Sequence, residues 1–276
     1  PDWRAYRAGL FAKHAKPRVA WNQDWVPPNI GWESDLAAYR AYWGQFDFFG
    51  KSKPSLILPA LKPQGPSYHD QQDWGIDALH VDASCGLGGV TLYVNDKPYP
   101  VYSPKGQGDI VWKKRLAEER QDSVTIELTA ENVGPKEAPF AARFLCEAFA
   151  GRRDSRIEFS VQGGAVNDAL AIGIGITRLK DEKFATDEEA GIIANWGMQE
   201  AAIGKIGMGI VYPKSEFLRF AEMPDQHQVI VRFVKDAPLV YHIQADWLNG
   251  RRFPRCPALV DWLNDLRRTA IAVKAE

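Results

Sequence analysis

The sequence predicts a mainly β protein, an antiparallel β-sandwich with a C-terminal helix. Short runs of alternating apolar and polar residues are separated by Gly, Pro and Asp, which is the pattern of half-buried strands joined by turns. The clearest runs begin at Ser123, Ala141, Ser155, Ala169, Ile206 and Gln228. Strands do not alternate with helical segments, so antiparallel sheets packed face to face are expected rather than a parallel sheet. No internal boundary stands out, and we predict one sandwich domain over residues 1–276.

Three local patterns predict individual elements. The run from Val90 is followed by Asn95-Asp96 and a second short run, which predicts a β-hairpin. The segment W-E-S-D-L-A-A-Y-R-A-Y-W-G from Trp32 predicts one strand, with a helix as the alternative because Ala and Leu favour helices. Beyond Pro257, one helical face would carry Leu259, Trp262, Leu263 and Leu266, which predicts a helix covering an edge or end of a sheet.

Composition excludes several classes of protein. The chain has 276 residues, is 45% hydrophobic and carries 34 basic against 35 acidic residues, so it can bury a large core but has no basic surplus for a nucleic-acid partner. No apolar run approaches the length of a membrane span, and membrane insertion is not expected. The three Cys are far apart and form no CxxC pair, which argues against a disulfide framework or structural zinc. We expect no cofactor.

The stretch Y-H-D-Q-Q-D-W-G-I-D-A-L-H-V-D-A-S-C-G-L-G-G, from Tyr68, concentrates groups that are costly to bury. Because a strand follows it, we expect these groups to line a polar cavity at the edge of a sheet. His69 and His80, with Asp70, Asp73 and Asp77 between them, suit proton transfer, since a neighbouring carboxylate can fix the tautomer of a His that titrates near neutrality. We favour His69, because His80 lies in the apolar alternation L-H-V. The spacing of His and Asp matches no standard zinc or calcium motif, so a metal is not favoured.

A second Tyr-His pair, Tyr241-His242, occurs in L-V-Y-H-I-Q-A-D-W, and we predict that it reaches the same cavity. Arg40 lies in an otherwise apolar segment and therefore needs an anionic partner. Two alternatives stay open for that partner. It is either the nearby Glu33 or Asp35, or the carboxylate of a ligand.

Two segments carry a resemblance to a known family. W-E-S-D with Y-R-A-Y, and Y-H-D with the following G-I-D and G-L-G-G, resemble a bacterial family long catalogued as a domain of unknown function. That family shows W-E-x-D and Y-R-x-Y, then Y-H, G-x-D and G-x-G-G. The resemblance spans roughly residues 11–262. The family occurs in polysaccharide-utilisation clusters and is associated with an oligosaccharide dehydratase of the ulvan pathway.

The resemblance implies a supersandwich like that of galactose mutarotases and many polysaccharide lyases. It also implies a periplasmic or secreted protein that acts on oligosaccharides containing uronic acid. Members of the family usually begin with further N-terminal strands. We therefore expect either that the sandwich in this chain is incomplete or that those strands belong to another piece of the protein.

The implied reaction is β-elimination, as in a carbon-oxygen lyase or dehydratase. It needs a base for the C5 proton, an acid for the C4 oxygen and a partner for the carboxylate. We predict His69 or His242 as the base, Tyr68 or Tyr241 as the acid and Arg40 as the carboxylate partner. A Tyr can also be the base, and the order of these roles stays open. The substrate-binding side chains would further include Asp77, Trp74, Trp247 and Glu33.

Two other functions remain as alternatives. An aldose-epimerase-like enzyme would use the same His and carboxylate on a neutral sugar, without an Arg for a substrate carboxylate. A non-catalytic glycan-binding protein would instead use exposed Trp side chains such as Trp21, Trp25 and Trp74.

Overall fold

A computed structural model describes residues 18–24, 29–62, 67–164, 170–248 and 259–274. These residues form three antiparallel sheets and a helix, and the predicted mainly β sandwich is confirmed. All six strands predicted from alternation are present, although the one predicted from Ala169 begins at Leu170 among the described residues.

The first sheet has its five strands in chain order: β1 (Val19–Asn22), β2 (Ile30–Ser34), β3 (Ala38–Tyr42), β4 (Gln45–Lys51) and β5 (Gly75–Asp77). The single strand predicted from Trp32 is therefore wrong, because two strands occupy that segment. Ser34 turns the chain between them. Its Oγ accepts hydrogen bonds from the amides of Leu36 and Ala37, which an extended strand would direct to a neighbouring strand.

The second sheet has eight strands in the order β13-β14-β15-β18-β11-β10-β9-β8, and the third has five in the order β16-β17-β12-β6-β7. Their bounds are β6 (Leu87–Val94), β7 (Lys97–Pro100), β8 (Val111–Glu119), β9 (Ser123–Val133), β10 (Phe140–Phe149), β11 (Ser155–Gly163), β12 (Leu170–Thr177), β13 (Lys180–Asp187), β14 (Ile192–Glu200), β15 (Gly204–Val211), β16 (Phe217–Glu222), β17 (Gln226–Arg232) and β18 (Leu239–Trp247).

The two five-stranded sheets both pack against one face of the eight-stranded sheet. Phe46 of the first sheet meets Phe144 of the second, with ring centroids 5.4 Å apart. Tyr241 of the second sheet donates its hydroxyl to the carbonyl of Gly88 in the third, at 2.5 Å. The first and third sheets join along a seam, where Phe46 bridges Gly86. Gly86 has φ of 75°, and a Cβ there would lie 1.8 Å from the Phe46 carbonyl oxygen, so only glycine fits.

The predicted hairpin is confirmed as β6 and β7. Asn95 and Asp96 have φ of 50° and 62°, the left-handed conformation that a two-residue type I′ turn requires. The predicted helix is also present, as α1 (Leu259–Val273), but it covers the outer face of the eight-stranded sheet rather than an edge or end. A Cβ on Gly209 of β15 would lie 2.5 Å from Leu266 of α1. A Cβ on Gly207 would lie 2.5 Å from Trp196 of β14 and 3.1 Å from Trp262 of α1. Glycine in β15 therefore makes room for the helix.

Cys85 and Cys146 are buried free thiols. In the described ranges, no helix has both the length and the apolar character needed to cross a membrane.

A buried ion pair holds a loop against the outer face of the first sheet. Nζ of Lys51 lies 2.6 Å from Oε2 of Glu33, and both side chains are at most 1% exposed. The ammonium also donates to the carbonyls of Ser34 and Ser55, and Glu33 accepts the amides of Ile57 and Leu58. Burial raises the pKa of Glu33 and lowers the pKa of Lys51, because it disfavours the charged form of each. Each charge is therefore stabilised by the opposite charge beside it.

Replacing Lys51 by Met should therefore leave the Glu33 carboxylate buried without its cation. We expect the free energy of unfolding to fall by about 3–5 kcal/mol, measured by urea denaturation. The matched control is Lys113→Met, which removes an exposed partner of Glu131 from a pair of the same 2.6 Å length. This control should change stability by less than about 1 kcal/mol. Equal losses in both variants would contradict the structural role of Lys51.

Candidate functional site

Beside the Lys51–Glu33 pair, the outer face of the first sheet carries a second group of buried charges, one cation and two carboxylates. We call it the Arg40 cluster: Arg40, Asp47 and Asp77. The register of β3 and β4 places Arg40 opposite Asp47, and β5 brings Asp77 alongside. Nη2 of Arg40 donates to Oδ2 of Asp47 and, at 2.9 Å, to Oδ2 of Asp77. The three side chains are 6%, 1% and 2% exposed. The positive charge of the guanidinium is therefore paired with carboxylates of the protein itself.

Aromatic rings enclose this cation. The guanidinium carbon lies 5.1–5.2 Å from the ring centroids of Tyr42, Phe49 and Tyr68. At these distances the ring faces attract the cation, and their apolar surface keeps water from it. Trp74 is half-buried beside them and meets Phe49 edge-on, with centroids 5.8 Å apart.

His69 connects the Arg40 cluster to solvent. Its Nδ1 lies 3.1 Å from Oδ2 of Asp77, while its side chain is 61% exposed. The loop that carries it is fastened by the Asp77 amide, which donates to the Tyr68 carbonyl at 2.9 Å. The Tyr68 ring lies 4.4 Å from the His69 ring. When Nδ1 carries the hydrogen shared with Asp77, Nε2 is left as the nitrogen that accepts a proton.

The electrostatics of the site follow from burial and pairing. Burial and the nearby Asp77 raise the pKa of Asp47 to about 8, although Arg40 acts in the opposite direction. Burial alone would lower the pKa of Arg40, but the two carboxylates more than offset this and keep the guanidinium charged. The hydrogen bond to Asp77 raises the pKa of His69 above its usual value. The site thus combines a permanent cation with an aspartate and a histidine whose pKa values are both raised.

The prediction that the two Tyr-His pairs share a cavity is wrong. Tyr241 is 1% exposed and lies in the core, where its hydroxyl binds the Gly88 carbonyl. His242 lies on the opposite face of β18, 7% exposed, with Nδ1 2.9 Å from Oδ2 of Asp154. Neighbouring residues of a strand point to opposite faces, so the two cannot line one cavity. Neither belongs to the Arg40 cluster, which lies on another sheet.

Three predicted substrate contacts also need correction. Glu33 is bound to Lys51 and to loop amides, and Arg40 is bound to Asp47 and Asp77, so neither charge is available to a ligand. Trp247 is 5% exposed, and its indole nitrogen donates to the Ile203 carbonyl at 2.8 Å. Of the Trp side chains considered for glycan binding, Trp21 is half-buried and Trp25 lies outside the described residues.

Sequence reasoning missed Asp47, Tyr42 and Phe49. One signal for Asp47 was present, since Q-F-D-F-F sets a carboxylate inside an aromatic strand, where it needs a buried partner. A further buried pair was also missed: Nε2 of His227 lies 2.6 Å from Oε1 of Glu182, and Phe184 stacks on the ring at 3.9 Å. In the part of the chain that the structure describes, no three His, Cys, Asp or Glu side chains are arranged to hold a metal ion.

The model of the family described as "Domain of unknown function (DUF4861)" matches residues 12–270, nearly the whole chain. The chain belongs to this family. The predicted membership of a domain-of-unknown-function family is therefore confirmed, while the ulvan association stays a prediction. No curated protein sequence matches this DUF4861 chain.

The solved structures that match this chain belong to larger proteins, of which the match covers 40–42%. The chain is 10% identical to a 4-α-glucanotransferase from Thermococcus litoralis, at a TM-score of 0.37, with 86% of this chain and 40% of that one covered. The GH36 α-galactosidase AgaB from Geobacillus stearothermophilus gives 10% identity, a TM-score of 0.36 and coverages of 84% and 42%. The chain thus spans about two fifths of their length. At these TM-scores the likeness does not indicate an activity for this chain.

The burial of Tyr241 predicts a loss of stability when its hydroxyl is removed. In Tyr241→Phe the Gly88 carbonyl would remain buried without its donor, so we expect the free energy of unfolding to fall by about 1–3 kcal/mol in urea denaturation. His69→Gln, a change at an exposed side chain, should have a smaller effect at neutral pH. An unchanged stability of Tyr241→Phe would contradict the internal role of this hydroxyl.

The ion pair of His69 predicts a pH-dependent contribution to stability. Because folding raises the pKa of His69, its contribution is fully present below the unfolded pKa of about 6.5 and is lost as the pH rises through the folded pKa. The difference in unfolding free energy between wild type and His69→Gln should therefore be largest in mild acid and shrink towards alkaline pH. His80→Gln is the matched control, since His80 lies 3.9 Å from an exposed carboxylate of Glu200. A difference that is independent of pH would contradict the pairing with Asp77.

Proposed function

We propose that this DUF4861 chain is a carbohydrate-active carbon-oxygen lyase or dehydratase in which His69 transfers the proton. The observation that carries the proposal is the arrangement of His69: one ring nitrogen is bound to the buried Asp77, and the ring itself is open to solvent. A His oriented by a carboxylate and accessible to substrate is suited to general acid-base chemistry. The family resemblance supports a uronate-containing oligosaccharide as the substrate and a periplasmic or secreted location.

In the proposed elimination, Nε2 of His69 takes the proton from C5 of the uronate. The electron pair of that C–H bond forms the C4–C5 double bond, the C4–O bond breaks, and the departing oxygen takes a proton. Tyr68 is our candidate for that acid, because its ring lies 4.4 Å from the His69 ring. Asp77 stabilises the imidazolium that forms, as a carboxylate bound to Nδ1 does in other His-based sites.

The carboxylate of a uronate needs a partner other than Arg40. The guanidinium is 6% exposed and already bound to two aspartates, so it orients Asp77 instead of binding substrate. This pairing also favours a second candidate function. An aldose-epimerase-like enzyme on a neutral sugar would use His69 and Tyr68 for proton transfer and would need no cation for a substrate carboxylate.

The test is to incubate the protein with glucuronate- and iduronate-terminated oligosaccharides and to follow the ultraviolet absorbance of a 4,5-unsaturated product. We expect product with wild type and a fall in kcat of about 10²–10⁴-fold in His69→Ala, because the base is lost. His80→Ala is the matched control and should retain activity, since His80 lies outside the Arg40 cluster.

The outcomes separate the three functions. No absorbance with any uronate would sink the lyase proposal. Interconversion of aldose anomers or epimers, followed by proton NMR and lost in His69→Ala, would establish the second candidate. Glycan binding without turnover, with an affinity that His69→Ala leaves unchanged, would identify a binding protein instead.

A further inference from the structure

The charges of the Arg40 cluster do not balance if both aspartates are ionised. One guanidinium then faces two carboxylates, and all three side chains are at most 6% exposed. A surplus buried charge is costly, and the usual remedy is that one group takes up a proton. Two carboxylates held close together commonly retain one proton between them.

The hydrogen bonds leave room for that proton. Asp47 accepts at both oxygens, since Oδ1 receives the Phe48 amide at 2.6 Å and Oδ2 receives Arg40. Asp77 accepts only at Oδ2, from Arg40 and His69. Its Oδ1 is buried and has no hydrogen-bond partner among the described residues. An ionised carboxylate with a bare, buried oxygen is costlier to bury than a neutral acid.

We propose that Asp47 and Asp77 share one proton over Arg40, and that this stored proton keeps His69 neutral and able to act as a base. Asp47 is thereby a positioning residue for the proton-transfer step. The effect of the shared proton on catalysis rests on the proposed function, whereas the shared proton itself does not.

Among the described residues, the titratable and charged groups that face the shared proton lie on β3, β4, β5 and the loop before β5. They are Arg40 and Tyr42 on β3, Asp47 on β4, Asp77 on β5, and Tyr68 and His69 on the loop before β5. Burial raises the pKa of Tyr42 far above neutrality, so this hydroxyl stays neutral, and Arg40 stays charged. Burial and Asp77 raise the pKa of Asp47 to about 8. This agrees with a pair of carboxyl groups that together carry one proton at neutral pH.

The stored proton matters because of what its loss would do to His69. With both carboxylates ionised, their surplus negative charge would hold His69 as the imidazolium, which cannot accept a proton. With one proton retained, Arg40 and the remaining carboxylate balance each other. His69 is then free to lose its own proton and to accept one from the substrate carbon.

The test is an NMR pH titration of the His69 ring, from about pH 5 to about pH 10, on the full chain. The chain has five His, and His69→Gln assigns the signal. In wild type we expect two steps: one for the His69 ring itself, and a smaller one near pH 8 as the carboxylate pair loses its proton. Asp47→Asn should abolish the second step and keep the first. Asp77→Asn should lower the midpoint of the first, because the hydrogen bond that raises the pKa of His69 is lost.

A single-step titration of wild type, or a second step that survives in Asp47→Asn, would overturn the inference. If Asp47→Asn does not fold, the unchanged protein labelled with ¹³C at the aspartate carboxyls provides the measurement. One carboxyl group should then titrate near pH 8, whereas titration of every aspartate below about pH 5 would overturn the inference. Neither titration uses a substrate, so a failed elimination assay and a failed inference are distinguishable.

Discussion

The burial of the Arg40 guanidinium is the constraint on which the outer face of the first sheet depends. A cation so deeply enclosed has to be paired, and the pairing needs three adjacent strands in one register, because each supplies one member of the cluster. The aromatic rings around the guanidinium and the loop above it complete the enclosure. His69 is positioned as a result, since the carboxylate that orients it is itself held by Arg40.

Among the described residues, the three His-carboxylate pairs with distances of 3.1 Å or less show that exposure, more than the pairing itself, decides what such a pair can do. His227 binds Glu182 and His242 binds Asp154, at 2.6 Å and 2.9 Å, and both imidazoles are at most 7% exposed. These pairs tie parts of the sheets together, and a substrate cannot reach them. His69 makes a longer contact with its carboxylate but is 61% exposed. Of the three, it alone combines an oriented ring with access from solvent.

Alternation within strands is a local property, and for that reason the sequence alone predicts six of the strands. The same alternation shows why Tyr241 and His242 cannot act together, since neighbouring residues of a strand face opposite sides of the sheet. Tyr68 and His69 lie in a loop, where this restriction does not apply. The partners of Arg40 could not be predicted in this way. Its sequence neighbours Glu33 and Asp35 pair elsewhere, with Lys51 and Arg18, and the true partners depend on strand register.

The seam between the two five-stranded sheets has a consequence for local opening. The entire Arg40 cluster belongs to the first sheet, which meets the third where Phe46 donates its amide to Cys85 and bridges Gly86. The same Phe46 packs on Phe144 of the eight-stranded sheet and belongs to the core that the three sheets share. Opening the first sheet would therefore expose part of that common core to water, which ties its opening to the unfolding of the rest of the sandwich. The Arg40 cluster would then be gained or lost together with the core beneath it.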